Sequence, residues 1–194
     1  VAVKADSPYK TIEELVAAAK EKGNLKASTN GNKASNHTAA QLLAKSAGFK
    51  YKAIPYGGTA DQLLALRQGE VDFTCAKVAD VAKLVKGDKP ELRVLAVFNT
   101  KRDPELPNVP TLGEKGLYPE WYGSARALVA PKGTKPEVIQ YYVEAFKKTM
   151  QDPAVIEAHK KAGMALDFKD NKELGDLIKA QDKFARDVVN DLYK

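Results

Sequence analysis

The stretch LKASTNGNKASNHTAAQLLA, residues 25–44, has the pattern of a strand, a polar loop and a helix in direct succession. Residues 25–28 are typical of a short buried strand, and a helix is predicted to begin near Asn36. The first backbone N–H groups of such a helix have no intrahelical partner. These donors, the helix dipole and Lys33 together favour binding of a carboxylate or phosphate. The alternative is an ordinary βα connection in which Asx turns and caps serve only the local backbone.

A second unit of the same design follows. Residues 51–55 are predicted as a strand, Tyr56, Gly57 and Gly58 as a turn, and a helix is predicted to begin at a capping box formed by residues 59–62 and to end at Gly69. Glycines in the turn let the backbone approach a ligand closely. The competing interpretation is that the glycines only make the turn and Thr59 only caps the helix, and the two roles are compatible.

Strands and helices alternate through the first hundred residues, with short turns marked by glycine. Thr11 and Glu14 form a further capping box ahead of a helix at 12–22. The remaining strands are predicted at 1–4, 71–75, 92–98, 125–130 and 165–168, and the remaining helices at 78–86, 136–150, 153–162 and 172–193. Such alternation predicts an open, mostly parallel or mixed sheet with helices on both faces. Ligands of these sheets bind at the carboxyl ends of the strands.

Composition excludes several classes of function. The 194 residues carry a net charge of +6, but the lysines are scattered and aromatic residues make up only 8%, so nothing in the sequence supports a nucleic-acid partner. A single cysteine excludes an internal disulfide, and neither histidine has the spacing of a metal site. Catalytic motifs such as a nucleophile elbow or a phosphate loop are absent. No cofactor is expected, and the chain is not expected to be an enzyme.

A proline-punctuated connector at 101–119 marks the predicted lobe boundary. Residues 1–120 are accordingly predicted as one α/β lobe that carries the ligand-binding loops, and 121–194 as a second segment. The chain begins VAVKAD without an initiator methionine, so we expect a mature form or a fragment of a longer protein.

Five phrases in this order resemble the receptors of the tripartite tricarboxylate transporters, also called Bug receptors: SPYKTIEELVAAAK, SNHTAAQLL, IPYGGTADQLLALRQGEVDF, NTKRDPELPNVPTLGEKG and ALVAPKGTKPEVI. The resemblance covers essentially the whole chain. It implies an α/β, periplasmic-binding-protein-like (type II) two-lobe architecture with mixed sheets flanked by helices. It also implies that residues 1–120 form the second lobe, that 121–194 return to the first lobe, and that a further N-terminal portion of the family is missing here.

By the same resemblance, the protein is an extracytoplasmic, periplasmic receptor that captures a small organic anion and delivers it to membrane transporter subunits. A di- or tricarboxylate, an amino acid or an aromatic carboxylate are all compatible ligands. Many members carry Gly-Ser where this chain has Lys33-Ala34, which replaces a hydroxyl by an ammonium and leaves the ligand open. The alternatives are a metabolite-sensing effector domain of a regulator and an enzyme of the same α/β class.

The candidate ligand-binding residues lie in the two turns, at one strand end and on one later strand. They are Thr29, Asn30, Gly31, Asn32, Lys33, Ser35, Tyr56, Gly58, Thr59, Ala60, Ala76 and Arg126. The guanidinium of Arg126 suits bidentate carboxylate binding, although an internal salt bridge explains it equally well. His37 is predicted to be a hydrogen-bonded structural histidine, Asp61 a first-turn acid that complements a helix dipole, and Cys75 a buried small hydrophobe.

Overall fold

The computed structural model describes residues 1–164 and 166–193, which divide into two compact units, Val1–Gly123 and Ser124–Lys194. In the first unit the strands are β1 (Ala2–Lys4), β2 (Lys26–Thr29), β3 (Lys52–Pro55), β4 (Phe73–Thr74) and β5 (Leu92–Val94). Its helices are α1 (Ile12–Lys22), α2 (Ser35–Ala47), α3 (Thr59–Gln68) and α4 (Val78–Val81). The second unit contains α5 (Pro136–Gln151), α6 (Pro153–Lys161), α7 (Asn171–Phe184), a π-helical turn (Ala185–Val189) and α8 (Asn190–Leu192).

The five strands form one mixed sheet in the order β3-β2-β4-β1-β5. β2 is parallel to β3 and β4, whereas β1 is antiparallel to β4 and β5. Helices α1 and α2 supply one hydrophobic core, in which Phe73 is fully buried. α3 and α4 supply a second core around Leu66. The prediction of a mixed sheet flanked by helices is therefore confirmed.

Local sequence signals place the first helix accurately. Thr11 and Glu14 form the predicted capping box: the Glu14 N–H donates to Thr11 Oγ1 over 3.2 Å, and the Thr11 N–H donates to Glu14 Oε2 over 3.3 Å. Each bond satisfies a donor that the helix itself leaves unpaired. The helix accordingly begins at Ile12, as predicted.

Five predicted elements differ from the structure. The helix predicted at 172–193 ends as α7 at Phe184 and continues as the π-helical turn and α8. The helix predicted at 78–86 ends at Val81, because the carbonyl of Leu84 accepts from the N–H groups of Glu91 and Leu92. The strand predicted at 92–98 ends at Val94, and its buried continuation forms only an isolated bridge between Val97 and Thr111. Residues 125–130 are exposed and, within the described chain, pair with no strand. At 165–168, Ala165 lies outside the described residues and the other three are not a strand.

Candidate functional site

The candidate site lies at one edge of the sheet in the first unit. Because β2, β3 and β4 run parallel, their carboxyl ends meet there, and the two predicted turns follow β2 and β3 directly. The chain leaves β2 over one face of the sheet through α2 and leaves β3 over the other face through α3. Crevices at such points, where successive connections diverge, are the usual ligand sites of open α/β sheets.

The loop between β2 and α2 is shaped by bonds to its own backbone. Thr29 is fully buried, and its hydroxyl donates to the carbonyl of Gly31 over 3.2 Å. Gly31 adopts a φ of 130°, which favours glycine. Lys33 also has a positive φ, 57°, and its backbone N–H donates to Nδ1 of His37 over 2.9 Å. His37 is therefore a hydrogen-bonded structural histidine, as predicted.

The imidazole of His37 is held in its neutral form. Its pKa is lowered because burial removes water from the ring. Its Nδ1 must stay unprotonated to accept the Lys33 N–H, so protonation of this nitrogen would break the bond that shapes the loop.

The amino end of α2 is suited to an anion. The helix has no acidic residue in its first turn, and Ala34 at the N-cap makes no side-chain cap. The Asn36 N–H donates to Oδ1 of Asn30 over 3.2 Å, so Asn30 caps the helix from within the loop. Asn32 and Lys33 are exposed beside it. The helix dipole at this end is therefore not offset by any carboxylate of its first turn.

The second turn differs from the prediction in its cap. Gly58, not Thr59, is the N-cap of α3 and makes no side-chain cap, so the capping box predicted at 59–62 is wrong. No described residue accepts from the backbone N–H of Thr59 or of Ala60, the first two helical residues. A Cβ added at Gly58 would meet no atom within 4 Å, so the backbone here is open to a ligand. Asp61 lies in the first turn, as predicted, and complements the dipole.

Tyr56 already uses both of its polar groups. Its N–H donates to the carbonyl of Thr29 over 2.9 Å, and its hydroxyl donates to Oε2 of Glu70 over 3.1 Å. Burial and the neighbouring Glu70 carboxylate raise the pKa of the phenol. Tyr56 therefore joins the ends of β2 and β3, and its hydroxyl is directed to the residue after the carboxyl end of α3.

Two further candidates lie outside these turns. Ala76 is half-buried at the end of β4, next to Cys75, whose carbonyl is bonded within the site. Arg126 belongs to the second unit, where it is exposed and forms no salt bridge with any described residue. The internal salt bridge that the sequence left open for Arg126 is thus not formed within the described chain.

A buried polar network beneath the two turns was not predicted. Gln62, fully buried on α3, donates to the carbonyls of Ser28 and Cys75 over 3.1 and 2.9 Å. Its amide oxygen accepts from Nδ2 of Asn36 over 2.8 Å. The sequence signal for this network is an uncharged amide, Gln62, on the apolar face of a helix. This signal is obscured because the same residue also completes an apparent capping box. The network holds the two turns against the same strand ends.

An aromatic side chain also reaches the first turn. The hydroxyl of Tyr122 donates to the carbonyl of Ser35 over 3.2 Å, and its ring stands edge-on to Phe98 with centroids 6.1 Å apart. Phe98 packs in the same way against Tyr118, with centroids 5.6 Å apart. Burial raises the pKa of Tyr118 to about 12. Tyr122 therefore stands beside the amino end of α2, and Phe98 links its ring to that of Tyr118.

Other site types find little support in the described part of the chain. No group of three His, Cys, Asp or Glu residues among those described could hold a metal ion. None of the described helices is long and apolar enough to cross a membrane. Cys75 is buried, as predicted, and burial raises the pKa of its thiol to about 11, so the reactive thiolate is suppressed.

Comparison with known proteins places the chain in a family. Residues 1–192 match the model of the tripartite tricarboxylate transporter family receptor. A UPF0065 protein from the gbd 5′ region of Cupriavidus necator is 38% identical over 152 residues, which cover 78% of this chain and 45% of that protein. A ligand-free TctC solute-binding protein from Polaromonas is 28% identical with a TM-score of 0.87, over 98% of this chain and 65% of that one.

A more distant structure shares the fold: a Rhodopseudomonas palustris protein with adipate has 22% identity and a TM-score of 0.77, over 95% of this chain and 63% of that chain. The chain spans about half the length of the curated relatives it matches, between 45% and 55% for the first three. The structural neighbour confirms the expected periplasmic-binding-protein-like fold. The matched family and this neighbour are receptors, which confirms the expectation of a receptor family rather than an enzyme family. The chain belongs to the tripartite tricarboxylate transporter receptor family.

Proposed function

We propose that this chain carries one half of the ligand site of an extracytoplasmic receptor, which captures a small organic carboxylate and delivers it to a tripartite tricarboxylate-type membrane transporter. The observation that carries the proposal is the pair of helix amino ends at one sheet edge, α2 without an acidic residue in its first turn and α3 without a side-chain cap, in a chain that belongs to this receptor family. A structural neighbour described with adipate supports a carboxylate as the ligand class.

The binding chemistry follows from the two turns. A carboxylate placed at the edge of the sheet would accept backbone N–H bonds from Thr59 and Ala60 and would interact favourably with the uncompensated dipole of α2. Thr29, Asn30, Gly31, Asn32, Ser35, Tyr56, Gly58 and Ala76 would form the surrounding surface. Lys33 would add positive charge, and the role of Arg126, which belongs to the second unit, stays a prediction from the sequence. Charge-assisted bonds of this kind are about twice as strong as neutral ones.

We also propose that residues 1–120 form the second lobe of the receptor and that 121–194 return to its first lobe. Helices α5, α6 and α7 contain no buried residue, although each is amphipathic, so among the described residues these three helices do not form a core of their own. The greater length of the curated relatives supports a further portion that would supply the missing core. Closure of the two lobes around the ligand would then complete the site.

Thermal unfolding in the presence of adipate, malate and the neutral diol 1,6-hexanediol tests the function. Each compound is measured with this chain and with a chain extended at its N-terminus to the length of the curated relatives. A ligand at about a hundred times its dissociation constant stabilises by ~2.7 kcal/mol, which shifts the midpoint by several degrees. We expect a shift with a carboxylate and none with the diol.

Comparing the chain with its N-terminally extended form shows which part of the receptor supplies the ligand contacts. A shift in both forms would locate the main anion contacts in the two turns, and a shift in the extended form alone would show that half a site is insufficient. If no carboxylate of the panel shifts either form, or if the diol acts as well as adipate, the proposal of a small-carboxylate receptor is wrong.

A further inference from the structure

We propose that Gln62 is the positioning residue that couples the two donor turns, so that they respond to a ligand as one site. The inference deepens the proposed function, and only its binding consequence rests on that function. Gln62 lies in the first turn of α3, yet the residue is completely buried and has no exposed surface. It lies at the point where β2 and β4, adjacent parallel strands, both end.

The amide nitrogen of Gln62 binds the ends of both strands. Its two hydrogens face three acceptors, the carbonyl of Ser28 at 3.1 Å, the carbonyl of Cys75 at 2.9 Å and the hydroxyl of Thr74, so one hydrogen is shared. The Thr74 hydroxyl in turn donates to the carbonyl of Ser28 over 2.9 Å. A buried carbonyl left without a donor is costly, so these bonds fix the amino end of α3 relative to the sheet.

The amide oxygen of Gln62 binds the other helix. It accepts from Nδ2 of Asn36, in the first turn of α2, over 2.8 Å. The backbone N–H of Asn36 donates to Oδ1 of Asn30, inside the first loop. A continuous path of hydrogen bonds therefore runs from the loop, through Asn36, to Gln62 and the start of α3. Gln62 thus bonds to β2, β4 and α2 at once.

The consequence is mechanical coupling between two turns at one edge of the sheet, whose helices run over opposite faces. A shift of the α2 amino end must stretch or break the Asn36–Gln62 bond, and Gln62 cannot follow without losing its strand carbonyls. Buried networks of this kind rigidify a site when all members are satisfied. A ligand that binds both helix ends would meet donors whose spacing is already fixed.

Amide exchange measured by NMR on the ligand-free chain tests the coupling directly. Thr38 reports on the first turn, since its N–H donates to the carbonyl of Ala34 over 2.9 Å, and Tyr56 reports on the second through its bond to Thr29. Leu112, which bonds to Val97, is the remote reference. The variants are Gln62→Met, which keeps the volume and removes the amide, Asn36→Ala, and the double variant.

We expect Gln62→Met to accelerate exchange at Thr38 and Tyr56 by about tenfold, the effect of losing a buried hydrogen bond, and to leave Leu112 unchanged. A role confined to global stability would instead accelerate all three amides together. In the double variant, exchange at Thr38 should rise no further than in either single variant, because the same path is already cut. The matched control is Gln68→Met, the same change at the exposed carboxyl end of α3.

Three results would overturn the coupling: an effect of Gln62→Met at Tyr56 but not at Thr38, additive effects in the double variant, or equal acceleration at Leu112. Should Gln62→Met not fold, Asn36→Ala alone decides the matter, because coupling requires it to accelerate exchange at Tyr56 across the sheet. No acceleration there would refute the inference.

Adipate affinity of the same variants, measured by calorimetry, tests the binding consequence. Gln62→Met should weaken binding about tenfold, while Gln68→Met binds like the unmodified chain. Unchanged affinity in Gln62→Met would overturn this consequence. Absence of adipate binding in the unmodified chain would count against the proposed function instead, and the exchange experiment would still decide whether Gln62 couples the turns.

Discussion

At the scale of the residue, His37 ties the stability of the first turn to pH. Its folded pKa is lowered by burial, so protonation favours the unfolded chain. Its contribution to stability is therefore complete above the unfolded pKa of about 6.5 and is lost as the pH falls below that value. We expect the free energy of unfolding, measured with urea, to decrease between pH 7.5 and pH 5.5.

His37→Asn isolates this contribution, because an amide oxygen can accept the Lys33 N–H without titrating. The variant should lose the part of the pH dependence that His37 contributes and keep the part that comes from the buried amino group of Val1, whose pKa burial also lowers. The carboxylates with lowered pKa values, such as Glu13 and Glu114, remain ionised in this window. The same substitution at His159, the second histidine, is the control and should keep the dependence. A pH response in His37→Asn equal to that of the unmodified chain would contradict the assignment.

Residue roles were predictable where they depend on near neighbours. The role of His37 was predicted correctly because its partner, Lys33, lies only four positions away. Gln62 was instead read as part of a capping box, because its real partners are 12 to 34 positions distant in the chain. The sequence offered only the position of an uncharged amide on the apolar face of a helix, and its partners in three other elements could be identified only from the fold.

At the scale of the element, the donor role of the amino end of α3 can be tested by removing a single backbone N–H group. Thr59 is the first helical residue, a position where proline is well tolerated because its missing N–H has no intrahelical partner. Thr59→Pro should therefore leave the midpoint of unfolding nearly unchanged. If a carboxylate accepts from this N–H, the affinity for adipate should fall about tenfold, as for a lost charge-assisted hydrogen bond.

Thr59→Ala is the matched control, because it removes the hydroxyl and keeps the N–H. It should bind adipate like the unmodified chain in calorimetry, using whichever chain length responds in the ligand panel. Ser35, the first residue of α2, permits the same pair of substitutions at the other turn. Equal affinities of the proline and alanine variants at both helices would show that the helix ends do not donate to the ligand.

Helix starts were predicted more accurately than strands, and the reason is physical. A helix start such as that of α1 is encoded by its own cap, within four residues of sequence. A strand exists only where another strand bonds to it, and this partner is distant in sequence. The apolar residues 125–130 have strand composition but no partner in the described chain, while β5 is cut short where pairing with β1 ends at Val94.

At the scale of the whole molecule, the second unit presents apolar surface that helices normally bury. Val138, Tyr142 and Phe146 recur every four residues of α5 and are 39%, 55% and 43% exposed. Side chains at this spacing form a continuous stripe along one side of a helix. In α7, Ile178 is likewise 54% exposed. Contiguous apolar surface of this kind marks an interaction face or drives association.

We expect this chain to self-associate as its concentration rises, with the α5 stripe at the contact, because association would remove the stripe from water. Sedimentation velocity over a concentration series measures this, and Phe146→Lys should shift the distribution towards monomer. Gln140→Lys is the control, since Gln140 is an exposed polar residue of the same helix that lies off the stripe and bonds to Glu144. The N-terminally extended chain should remain monomeric if its additional portion covers α5. Association that persists in Phe146→Lys and in the extended chain would show that the stripe is neither the contact nor the surface on which the first lobe is completed.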